Sequence, residues 1–435
     1  MKREAGRCPL ILCLAAGPAL LGLALPVPAL QAQQPAESTE TAGHPFSITQ
    51  TWNVGGTGPW DYMTMDTRAE RLYIAHGHSV QVVDVTTGAL AGEISGLVEA
   101  HAIALDDTGE FGYISDGPGS KIFAFDRRTL DVVATIDNVP SPRALVFEPQ
   151  THLLFAVRTD IAPATPAAPK PPRSTTHITP RPAPPPPAPA NPQARSSITV
   201  IDTQTQKVVG QILLAGTLGF AQADSRGNLY VNVTDRDQII RIDAEAVAPL
   251  LPKKADADGG AAAQEPSRAA NSSPASVTID WTDPRRPLRS FLVHGGCTTP
   301  KSLAIDSAHS RLFAACGNMK LFVLNADDGS VVDTLPIGPG VDGIGYDANH
   351  GLIFSANGGA DGSLTIIRQH VTDSYNVIQT LPTRQRARTV AVNPDTGQVY
   401  VVTDLLGVDL SQPANSGPVT TNPVNGTFQV LVIGN

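Results

Sequence analysis

Trp60-Asp-Tyr-Met-Thr-Met-Asp66 is followed by Arg71-Leu-Tyr-Ile-Ala-His76, then by Val80-Gln-Val-Val-Asp84, and, past a Thr87-Gly88 turn, by Ile94. Short apolar runs alternate with turn residues, which reads as four strands joined by tight turns. The same pattern returns at intervals of roughly 40 residues once insertions are set aside, the period of a four-stranded propeller blade. The residue closing the third strand marks each copy, at Asp84, Asp126, Asp202, Asp243, Asn325, Arg368 and Val432. The reading is all-β: a seven-bladed β-propeller with four antiparallel strands per blade.

The second strands give the same count: Leu72-Tyr-Ile-Ala-His76, Gly112-Tyr-Ile-Ser115, Leu153-Leu-Phe-Ala156, Leu229-Tyr-Val-Asn-Val233, Leu312-Phe-Ala-Ala315, Leu352-Ile-Phe-Ser-Ala356 and Val399-Tyr-Val-Val402. Three inserts stretch the spacing, near 161–195, 249–276 and 405–426. Ala255–Ala275 lacks strand periodicity, so the second insert hides no eighth blade. The last unit has only three strands, while Ser47-Ile-Thr-Gln-Thr-Trp52 stands unclaimed before the first. That segment is expected to complete blade seven, removing the free sheet edges and clasping the ring. Residues 46–435 then form one propeller domain, and a closed ring is expected to be a monomer.

Leu229-Tyr-Val-Asn-Val-Thr234 and Val399-Tyr-Val-Val-Thr403 give the repeat a family character. In these runs the chain resembles the YVTN-type, YncE-like family of secreted seven-bladed propellers, over nearly all of its mature length. The resemblance implies the fold and a secreted, periplasmic setting, and leaves activity open.

The start of the chain agrees. Lys2-Arg3 precedes a mostly apolar run from Pro9 to Leu30 and then Leu30-Gln-Ala32, the layout of a secretory signal cleaved near Ala32. Residues 1–32 are read as that signal and 33–45 as a flexible segment. Ile11-Leu12 before Cys13 are not the small residues of a lipobox, and no later segment is apolar enough to span a bilayer. With 31 Lys and Arg against 40 Asp and Glu, the net charge of -9 argues against a general nucleic-acid binder. Two cysteines outlast the signal: Cys297 before the first strand of blade five and Cys316 at the end of its second. Antiparallel pairing brings both to one face, so a disulfide is expected in an oxidising compartment, with two free thiols as the alternative. No metal site is expected, since His294 and His309 lack a structural-site spacing. No cofactor is implied.

In a propeller the first strand lines the central channel, and function usually sits in the loops at the face where it starts. Five residues before the first-strand markers Asp66, Asp106, Glu148, Asp224, Asp306, Asp347 and Asn393 stand Asp61, His101, Arg143, Gly219, Lys301, Asp342 and Arg388. These form an inner ring around the channel mouth. The second-strand ends form a neighbouring ring: His76, Asp116, Arg158, Asp235, Cys316, Asn357 and Asp404. Ligand contacts are expected from Asp61, His76, His101, Arg143, Lys301, Asp342 and Arg388, with Arg143, Lys301 and Arg388 as cationic donors to an anionic small molecule. The competing reading is a set of ions pairing with one another around a water-filled channel. A peptide or cell-envelope partner is the other class of ligand. Arg384-Gln-Arg-Ala-Arg388 strengthens the basic side.

The inserts near 161–195 and 405–426 fall between second and third strands, hence on the mouth face. The first holds Pro184-Pro-Pro-Pro187 and reads as polyproline-like, either a lid or partner motif or a tolerated surface insertion. The insert near 249–276 falls on the opposite face and is expected to be a mobile linker. Marks of several propeller enzymes are missing. No repeated tryptophan-docking motif, no Cys-x-x-Cys-His and no Gly-x-Ser-x-Gly is present. A binding or scaffold role is therefore favoured. The alternative is a lactonase-like hydrolase or isomerase using His101 with Arg143 and Arg388, an analogy at the level of fold.

Overall fold

The structure is a computed structural model that describes residues 45–158, 195–250, 276–278, 288–293, 296–371, 373–408 and 421–435. Residues 1–32, all but Pro45 of the 33–45 segment, and most of each insert lie outside the described residues.

Seven sheets of antiparallel strands form the blades. Their innermost strands are Trp60–Asp66, Ala100–Leu105, Pro142–Glu148, Leu218–Ala223, Pro300–Asp306, Val341–Asp347 and Val390–Asn393, each beside the next and the seventh beside the first. The register aligns one large aromatic per blade on the second strand: Tyr73, Tyr113, Phe155, Tyr230, Phe313, Phe354 and Tyr400, all fully buried. Seven hydrophobic clusters result, one at each junction between adjacent blades. Each blade shields its neighbours, so apolar burial is spread evenly around the ring.

The repeated acidic markers are turn formers. Asp84 Oδ1 accepts the backbone N–H of Thr86 and Thr87 at 2.9 Å each, Asp126 does the same for Arg128 and Thr129, and Asp202 for Gln204 and Thr205. The first-strand markers repeat this at the far end of the channel: Asp66 accepts from Ala69, Asp106 from Gly109, Asp306 from His309, and Asp347 from Asn349 and His350. A short acceptor that bonds its own backbone two or three residues on fixes the turn. Gly88 completes the first hairpin at a φ of 73°, a conformation glycine adopts freely.

The closing strand is confirmed. Ser47–Asn53 pairs antiparallel with Gln429–Gly434 as the outer strand of blade seven, with Ser47 opposite Gly434. One local reading changes, and two further strand pairings appear. Val399 faces Ile433, so the seventh marker position is Gly434 rather than Val432; without an acidic residue there, counting apolar residues slipped by two. At the end of the insert near 249–276, Ser276–Thr278 forms a fifth strand, parallel to Lys207–Ala215 on the edge of blade three, while 251–275 lie outside the described residues. Within the stretch near 405–426, Leu406–Val408 pairs with Thr421–Pro423. Among the described residues no helix is long and apolar enough to cross a membrane.

Candidate functional site at the channel mouth

Blades one to six carry an irregularity in the innermost strand at the same height. The register slips between Trp60 and Met63, Ala100 and Ile103, Pro142 and Ala144, Leu218 and Ala221, Pro300 and Ser302, and Val341 and Gly343. The residues displaced from the ladder include Asp61, His101, Arg143, Gly219, Lys301 and Asp342. A bulge bends the strand and re-aims the extra residue, here at the lip of the channel. Arg388 lies just before its innermost strand, Val390–Asn393. The inner ring of the sequence thus has a backbone cause.

Within the ring, charges pair between neighbouring blades. His101 Nδ1 lies 2.9 Å from Asp61 Oδ2, joining blades two and one, and Arg388 Nε lies 3.1 Å from Asp342 Oδ2, joining blades seven and six. Arg143 and Lys301 are exposed and have no ion pair among the described residues. Between them, in blade four, the ring position is Gly219. A Cβ there would meet Thr234 Cγ2 at 2.9 Å, so the close approach of Thr234 keeps this sector without a side chain.

Directly below the ring is a feature the sequence reading missed. Tyr62 of blade one and Phe220 of blade four reach each other across the channel, ring centroids 5.3 Å apart. They divide it into two lobes. One, of about 290 Å³, is walled by blades one to four; the other, of about 330 Å³, by blades one and four to seven. Tyr62 and Phe220 stand four residues before their markers, where the other blades have Ala102, Ala144, Ser302, Gly343 and Thr389. Two aromatics in an otherwise small position were the legible clue.

Four ring charges bear on the Tyr62 hydroxyl. Burial first, then the Asp61 and Asp342 carboxylates, drives the Tyr62 hydroxyl well above the usual phenol range, against Arg143 and Arg388. Four ring side chains therefore act on one hydroxyl, which makes no hydrogen bond among the described residues. Burial likewise raises the Asp342 carboxyl, opposed by Arg388, reinforced by Asp61 and opposed again by Lys301.

His76 is placed apart. It is 4% exposed, its Nδ1 lies 2.8 Å from Gln81 Oε1, and its ring stacks 4.1 Å from that of Phe428 at the junction of blades one and seven. Arg386 lies over Trp60 at 4.5 Å and pairs with Asp404 at 3.4 Å. Burial raises the Asp404 carboxyl, opposed by Arg386, a backbone hydrogen bond and His76. The outer ring is largely structural. Asp116 accepts the N–H groups of Val98 and Glu99, and Asp235 that of Thr217, clamping the loops that lead into the innermost strands. Cys297 and Cys316 form a disulfide, Cα atoms 5.5 Å apart. Among the described residues no group of three or more His, Cys, Asp or Glu side chains could hold a metal ion.

This architecture defines a seven-bladed β-propeller with WD40-like structural neighbours. The chain is similar to one in a crystal structure of the mitotic checkpoint complex (TM-score 0.55, 13% identity, covering 87% of this chain and 96% of that one). It is also similar to U3-55K (TM-score 0.56, 9% identity, 87% and 97% covered) and to the WD40 repeats of RRP9 (TM-score 0.57, 9% identity, 88% and 96% covered). Identities this low speak for the fold alone. No family model and no curated protein matches the chain.

Proposed function

We propose that this propeller is a binding protein that holds an anionic ligand at its channel mouth, in the sector formed by blades three to five. One observation carries the reading: Arg143 and Lys301 flank the bare Gly219 position and lack ion-pair partners among the described residues, while the other ring charges are matched. Two cations left exposed over a pocket favour a carboxylate or phosphate, which each can meet with charge-assisted hydrogen bonds. The carboxylate of a peptide or cell-envelope partner has the same chemistry.

The hydrolase alternative gains less support. The His101 side chain is 4% exposed and its Nδ1 is taken by Asp61. A Cβ at Gly117 would lie 2.7 Å from His101 Nε2, so Gly117 packs closely against that nitrogen, which also faces Glu99 Oε1 at 3.9 Å, and Arg388 is engaged with Asp342. The compartment we propose is the periplasm or the cell exterior. The Cys297–Cys316 disulfide, the apolar start of the chain and the likeness to YVTN-type, YncE-like secreted propellers support it.

The test is calorimetric titration of the mature protein with acetate and with inorganic phosphate, beside Arg143→Ala and Lys301→Ala. Each substitution is expected to weaken binding by about tenfold, the scale of one hydrogen bond to a charged group, with the melting midpoint unchanged. Binding that survives both substitutions would move the site elsewhere.

A further inference from the structure

Resting on the anion site just described, we infer that its ligand is an acidic sugar: a single hexuronate ring with its carboxylate on Arg143 and Lys301. Three kinds of group meet at the mouth, and each matches a different part of such a molecule.

The unpaired Arg143 and Lys301 supply donors for one carboxylate across the Gly219 gap. Asp61 and Asp342 supply acceptors. Asp61 spends Oδ2 on a hydrogen bond with His101, Asp342 faces Arg388 as an ion pair, and neither Oδ1 has a hydrogen bond among the described residues. An ionised carboxylate is acceptor-only, so a free oxygen beside a satisfied one recruits a donor from the ligand. With a cationic or imidazole partner already in place, that oxygen suits a neutral hydroxyl better than a second ammonium. Inorganic anions would leave both carboxylates unused and would meet them as like charges.

The floor is the Tyr62–Phe220 pair, centroids 5.3 Å apart. Aromatic faces carry negative charge and attract weakly positive C–H groups, the character of one face of a pyranose. Tyr62 adds a hydroxyl with no protein partner among the described residues, held protonated by burial and by the two carboxylates. Gln222, on the wall of both lobes, presents an amide that likewise makes no side-chain hydrogen bond among the described residues. Carboxylate donors, hydroxyl acceptors and an aromatic platform in one mouth define the ligand class. A plain fatty acid would use only the first and third, and a neutral sugar only the second and third.

Titration calorimetry of the mature protein with D-glucuronate, D-galacturonate, D-glucose, acetate, benzoate and L-phenylalanine tests this. At least one hexuronate is expected to bind about tenfold or more tighter than each of the other four, the gain of one further charged hydrogen bond. Asp61→Asn, which leaves His101 an amide oxygen to donate to, and Tyr62→Leu should each cost the hexuronate about tenfold and leave acetate within about twofold. Asp61 is half-buried at the lip, so its substitution keeps the test sound should Tyr62→Leu fold poorly.

A hexuronate no tighter than acetate would overturn the inference and leave the anion site standing. Benzoate equal to the hexuronates would remove the role of Asp61 and Asp342 and overturn it too. L-Phenylalanine binding tightest would assign those carboxylates to an ammonium. Failure of acetate, phosphate and both hexuronates to bind at all would instead bring down the anion reading itself.

Discussion

The two ends of the channel are built from the same repeat and treat charge in opposite ways. At the far end, acidic residues recur blade after blade and each is spent on a turn. Arg127 even bridges two of them, Nη2 at 2.6 Å from Asp66 and Nη1 at 3.5 Å from Asp106, with 6% of its side chain exposed. At the mouth the ring changes from blade to blade. Carboxylate, imidazole, guanidinium, glycine and ammonium occupy equivalent bulged positions, and two cations go unmatched. Periodic charge in a repeat fold serves the fold; charge that breaks the period is free to serve something else.

The sharpest way to break that comparison is stability. Arg127→Ala leaves two buried carboxylates without their cation and is expected to cost about 3–5 kcal/mol in chemical denaturation. A loss below about 1 kcal/mol would mean the far end is no more structural than the mouth. The next effect depends on pH and has opposite sign at the two ends. Hydrogen bonds from Gln369 and His309 overcome burial and hold the Asp306 carboxyl below its usual value. Its contribution is present above the unfolded value and lost as pH falls through the folded one. Asp306→Asn should therefore lower the melting midpoint at neutral pH, the gap closing in acid. Asp342 is raised by burial, so the folded protein takes up that proton before the unfolded chain does. Asp342→Asn should raise the midpoint at neutral pH, and this gain should fade as pH drops through the raised value. Equal signs in a pH series of melting curves would erase the distinction. The smallest effect is expected from Lys301→Ala, within about 0.5 kcal/mol of wild type, because an exposed unpaired ammonium stabilises nothing.

Much of the far end was legible because turn chemistry is local. Asp84 and Asp106 announce their hairpins within two or three residues, and the period did the rest. The ring at the mouth was legible as positions, since counting back from the markers needs only the repeat. Its pairing was half-legible too: Asp61 and His101 stand in adjacent blades, as do Asp342 and Arg388, whereas Gly219 separates Arg143 from Lys301. What could not be read was the direction of side chains at a bulge, which depends on neighbouring strands. The Tyr62–Phe220 pair crosses between blades far apart in sequence and was missed for that reason. His76 was grouped with the mouth because its strand ends there, but alternation along that strand turns it toward Gln81 and Phe428. Val432 slipped because blade seven lacks an acidic turn former to count from.

The pairing of Ser47 with Gly434 has a consequence for how the molecule assembles. The first strand of the propeller finds its partner only when the last one exists, with nearly the whole chain between them. Apart from the added edge strand Ser276–Thr278 on blade three, every other blade draws its strands from one continuous region, interrupted by inserts. Seven local units can therefore form early, while the step that makes them a ring waits on the largest loop closure in the chain, the kind of contact that slows folding. Until then the strand beginning at Gln429 presents an open edge, and that interval is when the chain is most exposed to pairing with a second copy of itself.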